Sequence, residues 1–165
     1  MDVVEALKEK INSNRVTTNE TVLEQHSGDE SYHRPRLPEV VVFPENREEV
    51  STVIELAGEY QKSVVPFGVA SSLEGSVIPS DTAIVLDFSL MNEILEVKEE
   101  DFLVRVQPGL TLSKLNNELK KYGMFFPVDP GADATLGGMA ATNASGTMSV
   151  RYGIMRDQVR SIEVV

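Results

Sequence analysis

Two stretches of small residues have the composition best suited to chemistry on a bound molecule. The longer stretch is PVDPGADATLGGMAATNASG over residues 127–146, and the shorter is PFGVASSLEG over residues 66–75. Glycine and alanine let a ligand approach the main chain closely, and exposed backbone N–H groups at such places commonly hold anions. The two stretches therefore predict two phosphate-sized sites and one long ligand, such as a dinucleotide.

The remaining residues offer little for catalysis without a cofactor. The chain has no cysteine, which excludes disulfides and a thiolate nucleophile. His26 and His33 lie in a polar stretch, and we expect both to be exposed. Four carboxylates lack the spacing of metal ligands: Asp29, Glu30, Asp129 and Asp133. Because no nucleophile with a paired histidine is evident, the chemistry must belong to a bound cofactor.

Composition narrows the class of protein further. A length of 165 residues with 41% hydrophobic and 25% charged residues fits one globular domain. The net charge of −11 argues against nucleic-acid binding, and it requires any diphosphate to be held by local N–H groups. No apolar run is long enough for a transmembrane segment, and the first residues lack the pattern of a signal peptide, so the expected location is cytoplasmic.

In the first half of the chain, hydrophobic periodicity predicts a parallel unit. An amphipathic helix near the N-terminus, ending at residues 12–14, precedes an irregular polar segment over residues 17–38. A strand over residues 40–43, a helix capped by Asn46 and a strand at residues 64–65 then form a βαβ unit. Val50, Val53, Ile54 and Ala57 are the predicted core face of that helix. The shorter stretch follows the second strand, where ligands of parallel sheets collect.

The second half predicts antiparallel structure. A strand over residues 83–87 is followed by a hairpin of residues 94–97 and 102–106. Thr111 is expected to cap a helix that Gly123 ends, and Gly137 with Gly138 to begin a short helix. Residues 158–165 read as a final strand. A parallel unit combined with antiparallel pieces predicts an α+β fold.

These residues carry a family resemblance. Residues 64–68, 72–75, 126–146 and 150–157 resemble the FAD-binding half of D-lactate dehydrogenases and of the glycolate oxidase D subunit, flavoenzymes of the vanillyl-alcohol oxidase type. The resemblance implies a two-lobed FAD-binding domain with an N-terminal βαβ lobe and part of an antiparallel-sheet lobe. It divides the chain into a helix and linker over residues 1–38, a first lobe over about 39–90 and an incomplete second lobe over about 91–165, without the cap domain.

The resemblance assigns the FAD diphosphate to the shorter stretch, where N–H groups of residues 69–73 would form an anion nest. The residues expected to bind there are Pro66, Phe67, Gly68, Val69, Ala70, Ser71, Ser72 and Leu73. Ala70 departs from the family pattern, which has a second glycine. Some relatives attach the flavin covalently through a histidine at the position of Ser71, so the resemblance implies non-covalent FAD here.

The longer stretch would run along the flavin and ribityl chain, with its short helix aimed at phosphate. Its expected binding residues are Pro127, Asp129, Pro130, Gly131, Ala132, Ala134, Thr135, Gly137, Gly138, Ala141, Thr142, Ala144, Ser145 and Gly146. Tyr152 and Gly153 resemble positions that contact the flavin, Arg151 and Arg156 could offset charge, and Arg156 with Asp157 could equally form an ion pair. Tight internal helix packing is the alternative explanation for the small residues.

By resemblance, the chain is the FAD-binding portion of an oxidoreductase that converts a small 2-hydroxy acid, D-lactate or glycolate, to the 2-oxo acid. The catalytic base and any divalent metal would lie in a missing C-terminal part, so this portion alone is expected to be inactive. With an exposed sheet edge, it is expected to self-associate or to bind FAD weakly. The alternatives are an alkylglycerone-phosphate synthase or sugar-lactone oxidase on the same scaffold, and a non-catalytic flavin- or nucleotide-binding module.

Overall fold

The structure, a computed structural model, describes residues 2–165 and divides into two compact units. Residues up to Leu90, together with Val165, form the first unit, and Met91–Val164 forms the second. The first unit contains a mainly parallel sheet and the second an antiparallel hairpin with helices. This mixture confirms the predicted α+β class.

The first unit is built on a four-stranded sheet in the order β1-β2-β4-β3. Its elements are α1 (Val3–Lys10), β1 (Val16–Thr17), α2 (Glu20–Gln25), β2 (Val40–Val42), α3 (Arg47–Glu59), β3 (Val64–Phe67) and β4 (Ile84–Asp87). Strand β4 pairs in parallel with both β2 and β3, so the predicted βαβ unit is present with β4 inserted between its two strands. All residues of β2 and β4 are buried, as expected for central parallel strands.

Helix α3 connects the two parallel strands and covers the sheet. Its start is the one predicted, because the Asn46 side chain accepts a hydrogen bond from the Glu49 N–H at 2.9 Å. The predicted core face is correct for Val50, Val53 and Ala57 but wrong for Ile54, which is 37% exposed. Leu56 is buried instead.

Two features of the N-terminal region differ from the sequence prediction. The segment predicted as irregular contains helix α2, whose Asn19 side chain accepts from the Val22 N–H at 3.3 Å. Helix α1 ends at Lys10, slightly earlier than predicted, and packs its buried Leu7 face towards α3. The Glu49 carboxylate of α3 does not complete a capping box with Asn46. It binds the Arg15 guanidinium through both oxygens at 2.5 Å.

The second unit contains β5 (Ile94–Lys98), β6 (Leu103–Val106), α4 (Leu112–Leu119), α5 (Leu136–Thr142), α6 (Ser149–Tyr152) and α7 (Met155–Gln158). The hairpin is antiparallel, as predicted. The Thr111 side chain caps α4, and Gly123 stops the following turn with φ at +67°, so both signals are confirmed. A core that includes Leu115, Val128 and Met139 joins the helices.

The predicted final strand is not formed. Residues 155–158 are helix α7, and residues 159–165 have no regular structure. A strand requires a neighbouring ladder, and within residues 2–165 no strand pairs with this segment. Ile162 and Val164 consequently remain 62% and 81% exposed.

The helices of the described residues are all too short or too polar to cross a lipid bilayer.

Candidate functional site

The shorter small-residue stretch forms a loop directly after β3, here called the first loop (residues 68–75). Phe67 is the last residue of β3, is buried, and lies in register with Asp87, the last residue of β4. The loop therefore leaves the sheet at the carboxyl end of its parallel strands. This is the edge at which open parallel sheets bind ligands.

The backbone of the first loop has free hydrogen-bond donors. Among residues 2–165, no group accepts a hydrogen bond from the N–H groups of Val69, Ala70, Ser71, Ser72 or Leu73. The Ser71 hydroxyl likewise has no partner in this part of the chain, whereas the Ser72 hydroxyl accepts from the Glu74 N–H at 3.3 Å. Unpaired N–H groups in succession can bind an anion.

Ala70 adopts a backbone conformation that is more favourable for glycine than for alanine. Its φ angle is +52°, in the left-handed region. An alanine at such a φ is less stable than one in the right-handed region by roughly 1–2 kcal/mol. Having alanine at position 70, where the family resemblance predicts glycine, therefore carries a conformational cost.

The far end of the first loop is held by the polar segment before β2. Gly75 has φ at +73°, and a Cβ added there would lie 2.5 Å from Cδ2 of His33, so this close approach requires glycine. Burial opposes ionisation of Asp29, but hydrogen bonds from Ser31 and from the Gly75 N–H outweigh it and lower the pKa of the Asp29 carboxyl. His33 is exposed, as predicted.

The near end of the first loop rests on a buried polar pair that was not predicted from the sequence. His26 was expected to be exposed, but it is only 6% exposed and its Nε2 lies 2.7 Å from Oδ2 of Asp87. The prediction failed because helix α2 was missed. Val22, four residues before His26, was the available signal, since residues at this spacing share a helix face.

In the second unit, the longer stretch includes α5 and the turns on either side of it. Thr135 caps the helix through its side chain, which accepts from the Gly138 N–H at 3.3 Å, so the predicted helix start is confirmed. The first N–H groups are already engaged, because Leu136 and Gly137 donate to the carbonyls of Leu110 and Pro108. These two N–H groups are therefore not free to hold a phosphate, which was the predicted role of this helix start.

The glycines of this stretch serve two different purposes. A Cβ at Gly137 would lie 2.9 Å from the Pro108 carbonyl oxygen, and one at Gly146 would lie 2.2 Å from the Asp129 carbonyl oxygen. Both glycines are thus required by close internal packing, the alternative considered from the sequence. A Cβ at Gly131 would meet nothing within 4 Å, and one at Gly138 only the Thr135 hydroxyl.

The side chains of the longer stretch range from buried to exposed. Thr135 is buried. Half-buried positions are Pro127, Asp129, Pro130, Ala132, Ala134, Gly137, Ala144 and Gly146. Exposed positions, where a ligand could reach the main chain, are Gly131, Gly138, Ala141, Thr142 and Ser145.

The carboxylates of the longer stretch bind protein groups. Hydrogen bonds from the Thr147 hydroxyl at 2.6 Å and the Met148 N–H at 3.0 Å lower the pKa of Asp129. Asp133 accepts from the Ser113 hydroxyl and N–H, which lowers its pKa as well. Within residues 2–165, no three metal-binding side chains gather into a cluster.

An aromatic patch follows the longer stretch in the second unit. The Tyr152 ring meets the Phe125 ring edge-on at 5.7 Å, and the Arg151 guanidinium lies 5.2 Å from its centroid. Gly153 has φ at +86°. The ion pair between Arg156 and Asp157, one of the two alternatives given for these residues, is not formed among residues 2–165. The Asp157 carboxylate instead accepts a hydrogen bond from the Ile154 N–H at 2.8 Å.

Comparison with known proteins assigns the chain to a family. Residues 38–165 match the family described as FAD binding domain. The chain belongs to this family. The match includes both small-residue stretches and all of the second unit, which supports the α+β fold of a vanillyl-alcohol oxidase type flavoprotein.

Two curated relatives and one solved structure indicate where in the family it lies. The chain is 45% identical to a probable mitochondrial D-lactate dehydrogenase of Danio rerio over 99% of its own length and 33% of the relative. It is 34% identical to glycolate oxidase subunit GlcD of Bacillus subtilis, covering 78% of the chain and 28% of the relative. An alkyldihydroxyacetonephosphate synthase structure aligns with a TM-score of 0.87 at 27% identity, over 94% of the chain and 31% of that protein. The chain thus spans about a third of the length of these proteins.

The two classes of glycine respond differently to an added methyl group. We expect Gly146→Ala to lower the free energy of unfolding by about 2 kcal/mol, because the new Cβ collides with backbone atoms of Asp129. Gly131→Ala, where the Cβ enters open space, should change it by less than about 0.5 kcal/mol. Urea unfolding followed by circular dichroism measures both. Equal stabilities for the two variants would contradict the assignment of Gly146 to internal packing.

Proposed function

We propose that the chain is the FAD-binding portion of an oxidoreductase that oxidises a small 2-hydroxy acid, D-lactate or glycolate, to the 2-oxo acid. The observation that carries the proposal is the row of five N–H groups from Val69 to Leu73, which have no acceptor among residues 2–165. They lie at the carboxyl end of a parallel strand in a chain that belongs to the FAD binding domain family.

The first loop is proposed to hold the FAD diphosphate. Free N–H groups and the Ser71 hydroxyl supply donors without a basic side chain, which suits a protein with a net charge of −11. The left-handed conformation of Ala70 suits this role, because a left-handed residue within a turn is a feature of backbone nests whose successive N–H groups bind one anion. The proposed contacts are Pro66, Phe67, Gly68, Val69, Ala70, Ser71, Ser72 and Leu73.

The longer stretch is proposed to contact the flavin and ribityl part of FAD. Its exposed backbone at Gly131 and Gly138 leaves room for a ligand against the main chain. Tyr152 and Gly153, beside the Phe125 ring, are the proposed flavin contacts in the aromatic patch. Gly137 and Gly146 contribute by letting the supporting turns pack closely.

The proposed reaction is a two-electron oxidation of the substrate. Bound FAD would accept the Cα hydrogen of the 2-hydroxy acid with its two electrons, while the hydroxyl proton leaves to a base, giving the 2-oxo acid. The substrate class is proposed from the relatives, since identity is 45% with a D-lactate dehydrogenase and 27% with an alkyldihydroxyacetonephosphate synthase. The part of the chain proposed here binds and orients FAD.

A titration with FAD tests the cofactor site. We expect saturable quenching of flavin fluorescence, and release of intact FAD on denaturation because Ser71 cannot attach it. Ser71→Asp should raise the Kd at least about tenfold, because a carboxylate in the first loop repels the diphosphate. Thr82→Asp is the matched control: it adds the same charge at an exposed site before the amino end of β4. Absence of binding, or equal Kd values for the two variants, would refute the proposed diphosphate site.

Substrate oxidation is tested by anaerobic bleaching of the flavin absorption. In the whole polypeptide that contains this chain, D-lactate or glycolate should bleach the flavin, and an added oxidant should restore its colour. The FAD-loaded 165-residue chain alone should stay coloured, because the proposal places the catalytic base outside these residues. A whole polypeptide that binds FAD but is not bleached by either acid would favour a different flavoenzyme or a non-catalytic flavin-binding module.

Self-association is proposed to occur through the hairpin of the second unit. Within the described chain β5 and β6 pair only with each other, and Leu95 and Phe102 are 54% and 80% exposed. Sedimentation velocity at micromolar concentration should detect dimers or larger species. Leu95→Lys should shift them to monomer, whereas Ile54→Lys on the exposed side of α3 should not. A monomeric wild-type chain would exclude this association.

A further inference from the structure

The imidazole of His26 is buried between two oxygen acceptors. Its Nδ1 lies 2.7 Å from the Val22 carbonyl oxygen, and its Nε2 lies 2.7 Å from Oδ2 of Asp87. Only 7% of the His26 side chain and 10% of the Asp87 side chain are exposed. At such burial the two ring nitrogens depend on these acceptors, so the protons between the groups determine whether the arrangement is stable.

The two acceptors fix how many protons the pair holds. A carbonyl oxygen carries no proton, so Nδ1 must donate to Val22. A second proton must lie between Nε2 and Asp87, since a ring nitrogen lone pair would otherwise face a carboxylate. Asp87 also accepts from the Ser89 N–H at 2.7 Å, which favours its ionised form. The pair is therefore an imidazolium that donates to a carbonyl and to a carboxylate.

This pair is connected directly to the start of the first loop. The Phe67 ring lies against the imidazole with centroids 4.5 Å apart, and Phe67 pairs in register with Asp87. The next residue, Gly68, opens the loop. A change in the imidazole position thus acts on both residues that end the parallel strands beneath the free N–H groups.

We propose that His26 is a positioning residue for the first loop: its doubly donating imidazolium fixes Asp87 and Phe67, and so holds the N–H groups of residues 69–73 in the arrangement that binds the FAD diphosphate. The proposal rests on the proposed function for its ligand. The link between His26 and the first loop is independent of the proposed function.

The expected pH dependence follows from the groups that face the ring. Helix α2 presents the Val22 carbonyl, the residues after β2 and within β3 present the rings of Phe43 and Phe67, and β4 presents Asp87. Burial alone lowers the pKa of His26, but its hydrogen bonds to Asp87 and Val22 outweigh burial, so the pKa is raised above the ordinary 6.5.

A raised pKa sets the direction of the effect. The stabilisation from the imidazolium is complete below the ordinary histidine value and is lost as the pH rises through the higher pKa of the folded protein. Burial tends to raise the pKa of Asp87, but hydrogen bonds from His26 and Ser89 lower it. The contribution of Asp87 is therefore present above the ordinary carboxyl value and is lost as the pH falls through its lowered pKa.

The test combines NMR of the FAD-free chain with FAD affinity as a function of pH. In the free wild-type chain, the amide signals of residues 69–73 should shift with the same midpoint as the His26 ring. The Kd for FAD should rise roughly tenfold as the pH passes through that midpoint, because loss of the imidazolium loosens the first loop. His26→Gln can donate only from one end, so it should bind FAD weakly at all these pH values and lose the titration.

Glu24→Gln is the matched control, because Glu24 lies on the same helix α2 and its side chain is exposed. It should keep the wild-type pH profile of both the loop signals and the Kd. If His26→Gln does not fold, the wild-type NMR titration still decides the question.

The outcomes separate this inference from the proposed function. Loop signals that follow His26 in a chain that does not bind FAD would support the positioning role and refute the proposed function. Loop signals that ignore the ionisation of His26, or a folded His26→Gln with wild-type affinity and pH profile, would overturn the inference even if FAD binds.

Discussion

Five successive backbone N–H groups, from Val69 to Leu73, have no acceptor among residues 2–165, and the first unit must hold them in place. A loop of this kind cannot be stabilised by its own hydrogen bonds, because its donors must stay available. Its conformation also includes a left-handed alanine at Ala70, which adds a conformational cost. The order of the loop must therefore come from contacts at its two ends.

Both ends are fixed by polar contacts from one segment of the chain. At the start, His26 and Asp87 meet in a buried contact beside Phe67. At the other end, His33 lies over Gly75, and the Gly75 backbone helps to lower the pKa of the Asp29 carboxyl. The segment after α2 thus acts as the support of the first loop. A buried charge pair is suited to this role because any displacement would leave one of its charges unpaired.

Small residues in the second unit are explained by two physical causes that look identical in a sequence. At Gly137 and Gly146 a side chain would collide with backbone atoms, so the fold itself requires glycine. At Gly131 the space is open, and the absence of a side chain leaves the main chain accessible. Only the second cause bears directly on ligand binding. Close internal packing also explains why the first N–H groups of α5 donate to the carbonyls of Pro108 and Leu110 and are not available to a ligand.

The sequence by itself determined the features that depend on local patterns. The parallel strands, the caps at Asn46 and Thr111, the stop at Gly123, the hairpin and the family all follow from neighbouring residue types, because backbone conformation and short-range hydrogen bonding decide them. Tertiary structure decided the placement of β4 between β2 and β3, the burial of His26 against Asp87 and, within residues 2–165, the absence of a strand over residues 159–165. These depend on partners far apart in the chain, 61 positions in the case of His26 and Asp87. A local pattern in the amino-acid sequence does not show whether such a distant partner is present.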